Sequence, residues 1–374
     1  MRLIPTVGEV IPLLIVTFTA AMVLAVGFTP IVRRIALRLD TIDTPNHRRV
    51  NASPIPRGGG VAVAFSFLAV AAVVLLVNHQ LVLVRIPFTV APRELAGLLL
   101  GGAVATVLGF LDDYYQLRAR WQFMGQLLLA LLAVGAGITV TFLNNPFGPG
   151  AIQLEGAFAI GFTMLWIVGM INSINFIDGL DGLSSGIALI AAVTLGLISL
   201  TTTIAQPFIA VLCFALAGSL LGFLRWNFHP ATIFIGTSGV MFVGYTLAVL
   251  AVLGTAKVAV ALLVLGVPII DTFWIIVRRI ANGSSPFTPD RGHIHHRLLD
   301  LGLSHARTVL VIYAICVVLA VLSVFLSGTG QLYAFMGLVL ASGLALFLFT
   351  RTESEDALEA ETYEAPQPED AGQA

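Results

Sequence analysis

Four polar stretches carry residue types that could do chemistry, and one of them contains no cation at all. Residues 172–183 read Asn172-Ser173-Ile174-Asn175-Phe176-Ile177-Asp178-Gly179-Leu180-Asp181-Gly182-Leu183, without a Lys or Arg. Carboxylates and amide oxygens with no neighbouring positive charge are hard-ligand material. They suit Mg²⁺, which takes oxygen donors and keeps water or substrate phosphate in its shell. The alternate-residue ligand ladder and closing Glu of an EF-hand are missing. An Asp- and Gly-capped turn would use the same residues, so the reading depends on what gathers beside them.

Asp112-Asp113 stands where an apolar run ends. Ionised residues at that depth in a membrane are expensive and are usually functional. Successive helical positions point about 100° apart, so one carboxylate could contact a metal or phosphate while its neighbour turns elsewhere. A third stretch contains Asp43-Thr44-Pro45-Asn46-His47-Arg48-Arg49 and then Pro54-Ile55-Pro56-Arg57-Gly58-Gly59-Gly60. Its glycines would let backbone amides approach an anion, and Arg48, Arg49 and Arg57 could pair phosphates. Holding the loop on one side of a membrane would also account for these arginines. The GxxxxGK[ST] pattern of a phosphate loop is absent.

The fourth stretch runs Pro286-Phe287-Thr288-Pro289-Asp290-Arg291-Gly292-His293-Ile294-His295-His296-Arg297. No Cys or acidic spacing completes a zinc site there, and Arg291 and Arg297 would repel the metal. His and Arg together suit a pyrophosphate and a sugar better.

The elements that must position these stretches follow from composition. Of 374 residues, 58% are hydrophobic and 10% are charged, against about 25% charged in soluble domains. A soluble globular protein is excluded. A bilayer span needs roughly 20 mostly apolar residues. Eleven such runs are expected, at about 9–29, 60–78, 95–111, 122–143, 157–171, 183–203, 207–224, 238–254, 256–276, 308–326 and 330–349. The predicted fold is therefore an all-α polytopic membrane protein.

Lys and Arg concentrate on alternate loops, 15 on one side and 4 on the other. By the positive-inside rule the N-terminus is outside and the C-terminus cytoplasmic. Arg33 and Arg34 directly after the first run fit a retained helix better than a cleaved signal peptide. Of the 20 acidic residues, 8 lie after position 350, which leaves 12 acids against 18 bases before it. Residues 1–350 are read as one polytopic domain, and 351–374 as an acidic, disordered cytoplasmic tail. Cys213 and Cys316 fall within apolar runs without ligand spacing and are read as inert.

With that orientation all four polar stretches face the cytoplasm. Oxygen ligands for a divalent cation, basic groups and histidines at one membrane surface point to a phosphate-containing substrate meeting a lipid. Mg²⁺ and cationic side chains would neutralise charge on a transferred phosphoryl group. A transporter would need ionisable residues near mid-membrane, and these runs are almost free of them.

The ordered motifs resemble the polyprenyl-phosphate N-acetylhexosamine-1-phosphate transferases, the WecA/MraY-type superfamily, over about residues 10–350. The landmarks are Asp43-x-Pro45 with Pro56-Arg57-x-Gly59-Gly60, Gly109-Phe110-x-Asp112-Asp113 with Gln126, and Asn172-x-x-Asn175-x-x-Asp178-Gly179-x-Asp181-Gly182-Leu183. They continue with Gly222-Phe223-Leu224, Asn227, Pro230-Ala231 and Ile233-Phe234-Ile235-Gly236, then Asp290-Arg291-x-His293-x-His295-His296-Arg297-Leu298-Leu299. The last motif is similar to the branch using UDP-N-acetylglucosamine or a related UDP-N-acetylhexosamine.

The resemblance implies attack by undecaprenyl phosphate on the β-phosphorus of the UDP-sugar, releasing UMP, at the cytoplasmic face of a bacterial plasma membrane. The product would feed wall teichoic acid, O-antigen or another surface glycan. By analogy Asp112 and Asp113 are catalytic, orienting or deprotonating the lipid phosphate. Asn175, Asp178 and position 237 would hold Mg²⁺, with Mn²⁺ as the alternative ion. Arg57, Asp181, Asn227, Arg291, His293, His295 and His296 would bind substrate. One-step transfer and a two-step route through an aspartyl-phosphate both stay open. No nucleic acid is expected as a partner, and a homodimer stays open.

Three positions depart from the family pattern. Thr237, in Gly236-Thr237-Ser238-Gly239, stands where the resemblance implies an Asp that is the principal Mg²⁺ ligand. Gln122 stands where a Lys is usual, and Asn51 where a His is usual. Two readings follow. One is an active transferase with a rearranged metal shell, in which Asp178, Asp181 or Asp112 supplies the carboxylate. The other is a catalytically impaired membrane protein that still binds UDP-sugar and polyprenyl phosphate.

Overall fold

In the computed structural model the described residues are 7–44, 54–81, 90–145, 147–148, 150–201, 206–254, 257–281, 283, 294–326 and 328–343. Arg291, His293, Asn51 and the acidic tail lie outside them. Helices form where the apolar runs lie, because in hydrocarbon a backbone can satisfy its polar groups only within itself.

In chain order the elements are α1 (Val7–Arg38), β1 (Ile42–Asp43), β2 (Ile55–Pro56), α2 (Gly60–Leu81), α3 (Pro92–Tyr115), α4 (Ala119–Gly135), β3 (Phe142–Asn144) and β4 (Ala151–Gln153). They continue as α5 (Gly156–Ile177), α6 (Leu183–Thr201), α7 (Pro207–Asn227), α8 (Gly236–Leu253), α9 (Lys257–Val264), α10 (Gly266–Ala281), α11 (Ile294–Asp300) and α12 (His305–Phe325). Residues 328–343 are helical too and form α13.

Among the described residues, 8 helices are long and apolar enough to cross a membrane: α1, α2, α3, α5, α6, α7, α8 and α12. The protein is an all-α polytopic membrane protein. The expected eleven spans differ from these at three places. The run at 122–143 yields only the 17-residue α4, capped by Ala136 and followed by Gly137 (φ +91°). At 1.5 Å per residue that helix is about 26 Å long, just short of the hydrocarbon thickness. Beyond it the chain forms an antiparallel ribbon, Phe142 opposite Gln153. The run at 256–276 breaks at Leu265 into α9 and α10, where Pro268 lacks the amide that would continue the ladder. The last run continues past the described part of α13.

α8 is the central element, packed against α3, α5 and α2, while α7 packs on α1 and α6. Both α7 and α8 are buried along nearly their whole length. Outer helices instead present Ile15, Val16, Leu100, Leu165 and Val318 outward, an apolar surface that suits lipid rather than water.

Glycine permits the tightest contacts, at the start of α8. A Cβ on Gly60 would lie 2.0 Å from the Cα of Gly239, and one on Gly109 would lie 2.4 Å from the Cα of Ser238. Small residues at such crossings let membrane helices approach backbone to backbone.

Candidate active site

Asp112, Asp178 and Asn227 lie at the ends of α3, α5 and α7, while Thr237 and His305 lie at the starts of α8 and α12. These helix ends meet on one side of the bundle and enclose a cavity of about 460 Å³. Its lining includes Asp43, Arg57, Asp112, Gln122, Asn175, Asp178, Asp181, Asn227, Thr237, His296 and His305.

The two adjacent carboxylates separate. Asp112 faces the cavity, where its Oδ1 accepts from the Leu117 amide (3.1 Å) and from Gln122 Nε2 (2.9 Å). Asp113 turns beneath α8, where its Oδ1 accepts from the Thr237 amide (2.7 Å) and its Oδ2 from the Ser238 amide (3.0 Å). The N-cap residue of α8, Ile235, has no side-chain oxygen to offer. Asp113 therefore supplies from α3 the cap that α8 lacks, and its charge complements the positive end of the helix dipole. Gly236 (φ +69°) lies between them, and a Cβ there would come within 2.6 Å of the Asp113 carboxylate. The two oxygens of Asp113 are committed to holding Thr237 and Ser238 in place.

The glycine stretch corrects an expectation. The Gly59 amide donates to the Phe234 carbonyl (2.9 Å) and the Gly60 amide to the Ile235 carbonyl (2.7 Å), while the Phe234 amide donates to the Pro56 carbonyl (2.9 Å). The amides of Gly59 and Gly60 are thus consumed by backbone and are not free to cradle an anion. Arg57 does reach the cavity, ion-paired with buried Asp43.

The turn between α5 and α6 forms the opposite wall. Asp178 ends α5, and its Oδ1 accepts from the Ser184 hydroxyl (2.6 Å). Burial pushes the Asp178 carboxyl up to about 6. The Ser184 hydrogen bond and Arg57 oppose that rise, and the charges of Asp113 and Asp43 add to it.

Asp181 Oδ2 accepts from His229 Nδ1 (2.7 Å) and from the Ala231 amide (3.1 Å), while the Asp181 amide donates to His305 Nε2 (2.8 Å). The two imidazoles stack at 4.3 Å. The ligand atoms of Asp181, His229 and His305 lie within 4.8 Å of one another. Asp181 Oδ2, His229 Nδ1 and His305 Nε2 are engaged in these hydrogen bonds, which tie the trio together.

Asn227 also lines the cavity, but its amide is engaged at both ends. Its Oδ1 accepts from the Ser185 hydroxyl (2.6 Å) and its Nδ2 donates to the Ile233 carbonyl (3.1 Å). It ties α6, α7 and the loop before α8 together. His296 lines the cavity, whereas His295 is buried beside it, its Nε2 only 2.2 Å from where a Cβ on Gly179 would stand.

Of the residues expected from sequence, Arg57, Asp112, Asn175, Asp178, Asp181, Asn227, Thr237 and His296 therefore share one cavity. Asp113 and His295 support it from behind. Sequence reasoning missed His229, His305 and Ser184. An isolated histidine just before an apolar run was the available signal for His305.

Fold and cavity together define an integral membrane protein whose acidic and basic groups converge at one end of its helices. The family model for glycosyl transferase family 4 matches residues 95–255. The chain is 37% identical to a probable undecaprenyl-phosphate N-acetylglucosaminyl 1-phosphate transferase of Bacillus subtilis, covering 84% of this chain and 85% of that one. It is 34% identical to a decaprenyl-phosphate N-acetylglucosaminephosphotransferase of Mycobacterium tuberculosis (90% and 88% covered). It is 28% identical to an undecaprenyl-phosphate alpha-N-acetylglucosaminyl 1-phosphate transferase of Yersinia pestis (80% of each). The chain belongs to the polyprenyl-phosphate N-acetylhexosamine-1-phosphate transferases, the WecA/MraY-type family of membrane enzymes.

Proposed function

We propose that this protein transfers N-acetylglucosamine 1-phosphate from UDP-N-acetylglucosamine to undecaprenyl phosphate and releases UMP, at the cytoplasmic face of a bacterial plasma membrane. The observation that carries this reading is the single cavity holding Asp112, Asn175, Asp178, Asp181, Arg57 and His296 together. Supporting the orientation is the charge bias, since the loops flanking the cavity side carry most of the Lys and Arg. The acidic segment 351–374 would extend from the same face.

The donor set fits Mg²⁺ or Mn²⁺. Asp112 and Asp178 each engage only Oδ1, which leaves Oδ2 without a hydrogen-bond partner among the described residues. Asn175 and Thr237 line the same cavity and add neutral oxygens, a hard-ligand set. A bound divalent ion would neutralise charge on the diphosphate. Asp112, Asn175 and Asp178 would hold it, with Thr237 contributing a weaker oxygen.

A lipid phosphate oxygen attacks the β-phosphorus of the donor. The bond from that phosphorus to the bridging oxygen breaks, and UMP leaves with the electron pair. A phosphate monoester with second pKa about 6 is already largely ionised at neutral pH, so Asp112 is not needed to deprotonate the lipid phosphate and would orient it through the divalent ion that it helps hold. Arg57 and His296 pair the phosphates, and Asp181 faces the nucleoside.

Thr237 motivates a second reading, in which the chain binds both substrates without turnover. Purified protein should release UMP only when UDP-N-acetylglucosamine, undecaprenyl phosphate and Mg²⁺ are all present. No release above background from folded protein, with activity gained in Thr237→Asp, would establish the second reading instead.

A further inference from the structure

His229 and His305 have no role in the reaction described above, and their hydrogen bonds to Asp181 fix the proton at His229 Nδ1 and its absence at His305 Nε2. The Asp181 amide donates to His305 Nε2 (2.8 Å), so Nε2 carries no proton and the ring is neutral with its hydrogen on Nδ1. His229 Nδ1 lies 2.7 Å from Asp181 Oδ2, so that nitrogen carries the proton. One imidazole therefore accepts from the backbone of Asp181 while the other donates to its side chain.

The Ala231 amide completes the grip on Oδ2 (3.1 Å), leaving Asp181 Oδ1 as the oxygen outside this network. Asp181 and His305 both line the cavity, and the Tyr313 hydroxyl on α12 donates to the carbonyl of the next residue, Gly182 (2.5 Å). α12 thus clasps the turn at two consecutive residues.

We propose that His305 and His229 are positioning residues for the nucleoside half of the donor, acting through Asp181. His305 serves as an acceptor that fixes the backbone of Asp181, and His229 as a donor that fixes the rotation of its carboxylate. Asp181 Oδ1 is then aimed as an acceptor at a hydroxyl or ring N–H of the nucleotide. This inference rests on the reading that the cavity binds a nucleoside diphosphate sugar, but its test does not depend on turnover.

The test is UMP affinity, measured by titration calorimetry on full-length protein in detergent, with the KM values for both substrates as the second readout. His305→Gln keeps an acceptor near the Nε2 position, and His305→Phe keeps a ring without one. The Phe variant should weaken UMP binding by about tenfold, the scale of one lost hydrogen bond. The Gln variant should stay within about threefold of the parent. KM for the donor should rise in parallel while KM for undecaprenyl phosphate stays unchanged.

His229 provides the second arm, because its side chain is 41% exposed and tolerates substitution better. His229→Asn keeps a donor near Nδ1 and should bind UMP like the parent, whereas His229→Phe should lose affinity. Unchanged affinity in both Phe variants overturns the proposal. So does equal loss in the Gln and Phe variants of His305, or equal movement of both KM values. Parent protein that binds no UMP also overturns it. Parent protein that binds UMP but releases none from donor and lipid sinks the transferase reading alone, and the four affinities still decide this one.

Discussion

The two walls of the cavity present carboxylates to the same space but are held by different means. The wall at the start of α8 is held by backbone: Gly60 and Gly109 let α2 and α3 touch α8 directly, and Asp113 binds two of its amides. The wall formed by the turn at 178–182 is held by side chains, namely Ser184, His229, His305 and Tyr313. Backbone contact leaves no room for adjustment, whereas side-chain hydrogen bonds can be lost one at a time. Damage to the first wall should appear as lost stability, and damage to the second as lost function in a folded protein.

The largest effect is expected from Gly60→Ala. Its new methyl would meet the Gly239 backbone at 2.0 Å, where no flexible side chain can give way. Overpacking at such a point costs about 1–3 kcal/mol or more. The variant should show a sharply lower Tm and poor monodispersity in detergent, and a parent-like Tm would break the comparison.

Asp113→Ala comes next. It removes two charge-assisted bonds at a buried helix end and should cost about 2–3 kcal/mol, read as a Tm fall that Asp113→Asn reverses in part. If its Tm is unchanged while UMP release disappears, Asp113 belongs with the chemistry rather than with the scaffold.

The smallest stability effect, of opposite sign, is expected from Asp178→Asn. Burial raises this carboxyl from 3.8 to about 6. Between those values the unfolded chain ionises and the folded chain does not, so this group lowers stability as pH rises through that window. In EDTA the variant's Tm should therefore gain on the parent's between about pH 4 and 6. Its UMP release should fall by a factor on the order of 10², and Mg²⁺ should raise the parent's Tm but not the variant's. A uniformly lower Tm would show that Asp178 supports the turn instead.

The same division explains what the sequence disclosed. Apolar length marks spans because the bilayer imposes it, and the carboxylates stood out because ionised residues at helix ends are rare in such a chain. The cap that Asp113 gives α8 was hidden, since 124 residues separate it from Thr237. So was the link from Asp181 to His305, also 124 residues apart. The glycine stretch misled because residue type fits equally an amide facing a ligand and an amide facing a neighbouring strand. Only the positions of the Phe234 and Ile235 carbonyls decide between them. The break at Leu265 was legible in Pro268, but the apolar run around it dominated the reading.

The clasp of α12 on the turn bears on how the protein is made. Lining residues run from Asp43 to His305 along the chain, and synthesis delivers them in that order, a few residues each second. When the ribosome has inserted α3, α5 and α8, both walls exist but Asp181 lacks its imidazole acceptor. On the proposed role of Asp181, the nucleotide site is therefore finished only after α12 reaches the membrane. A chain halted before residue 305 would hold the Asp178 and Asp112 carboxylates with an unfastened turn, so late truncations should yield inserted protein that cannot hold donor.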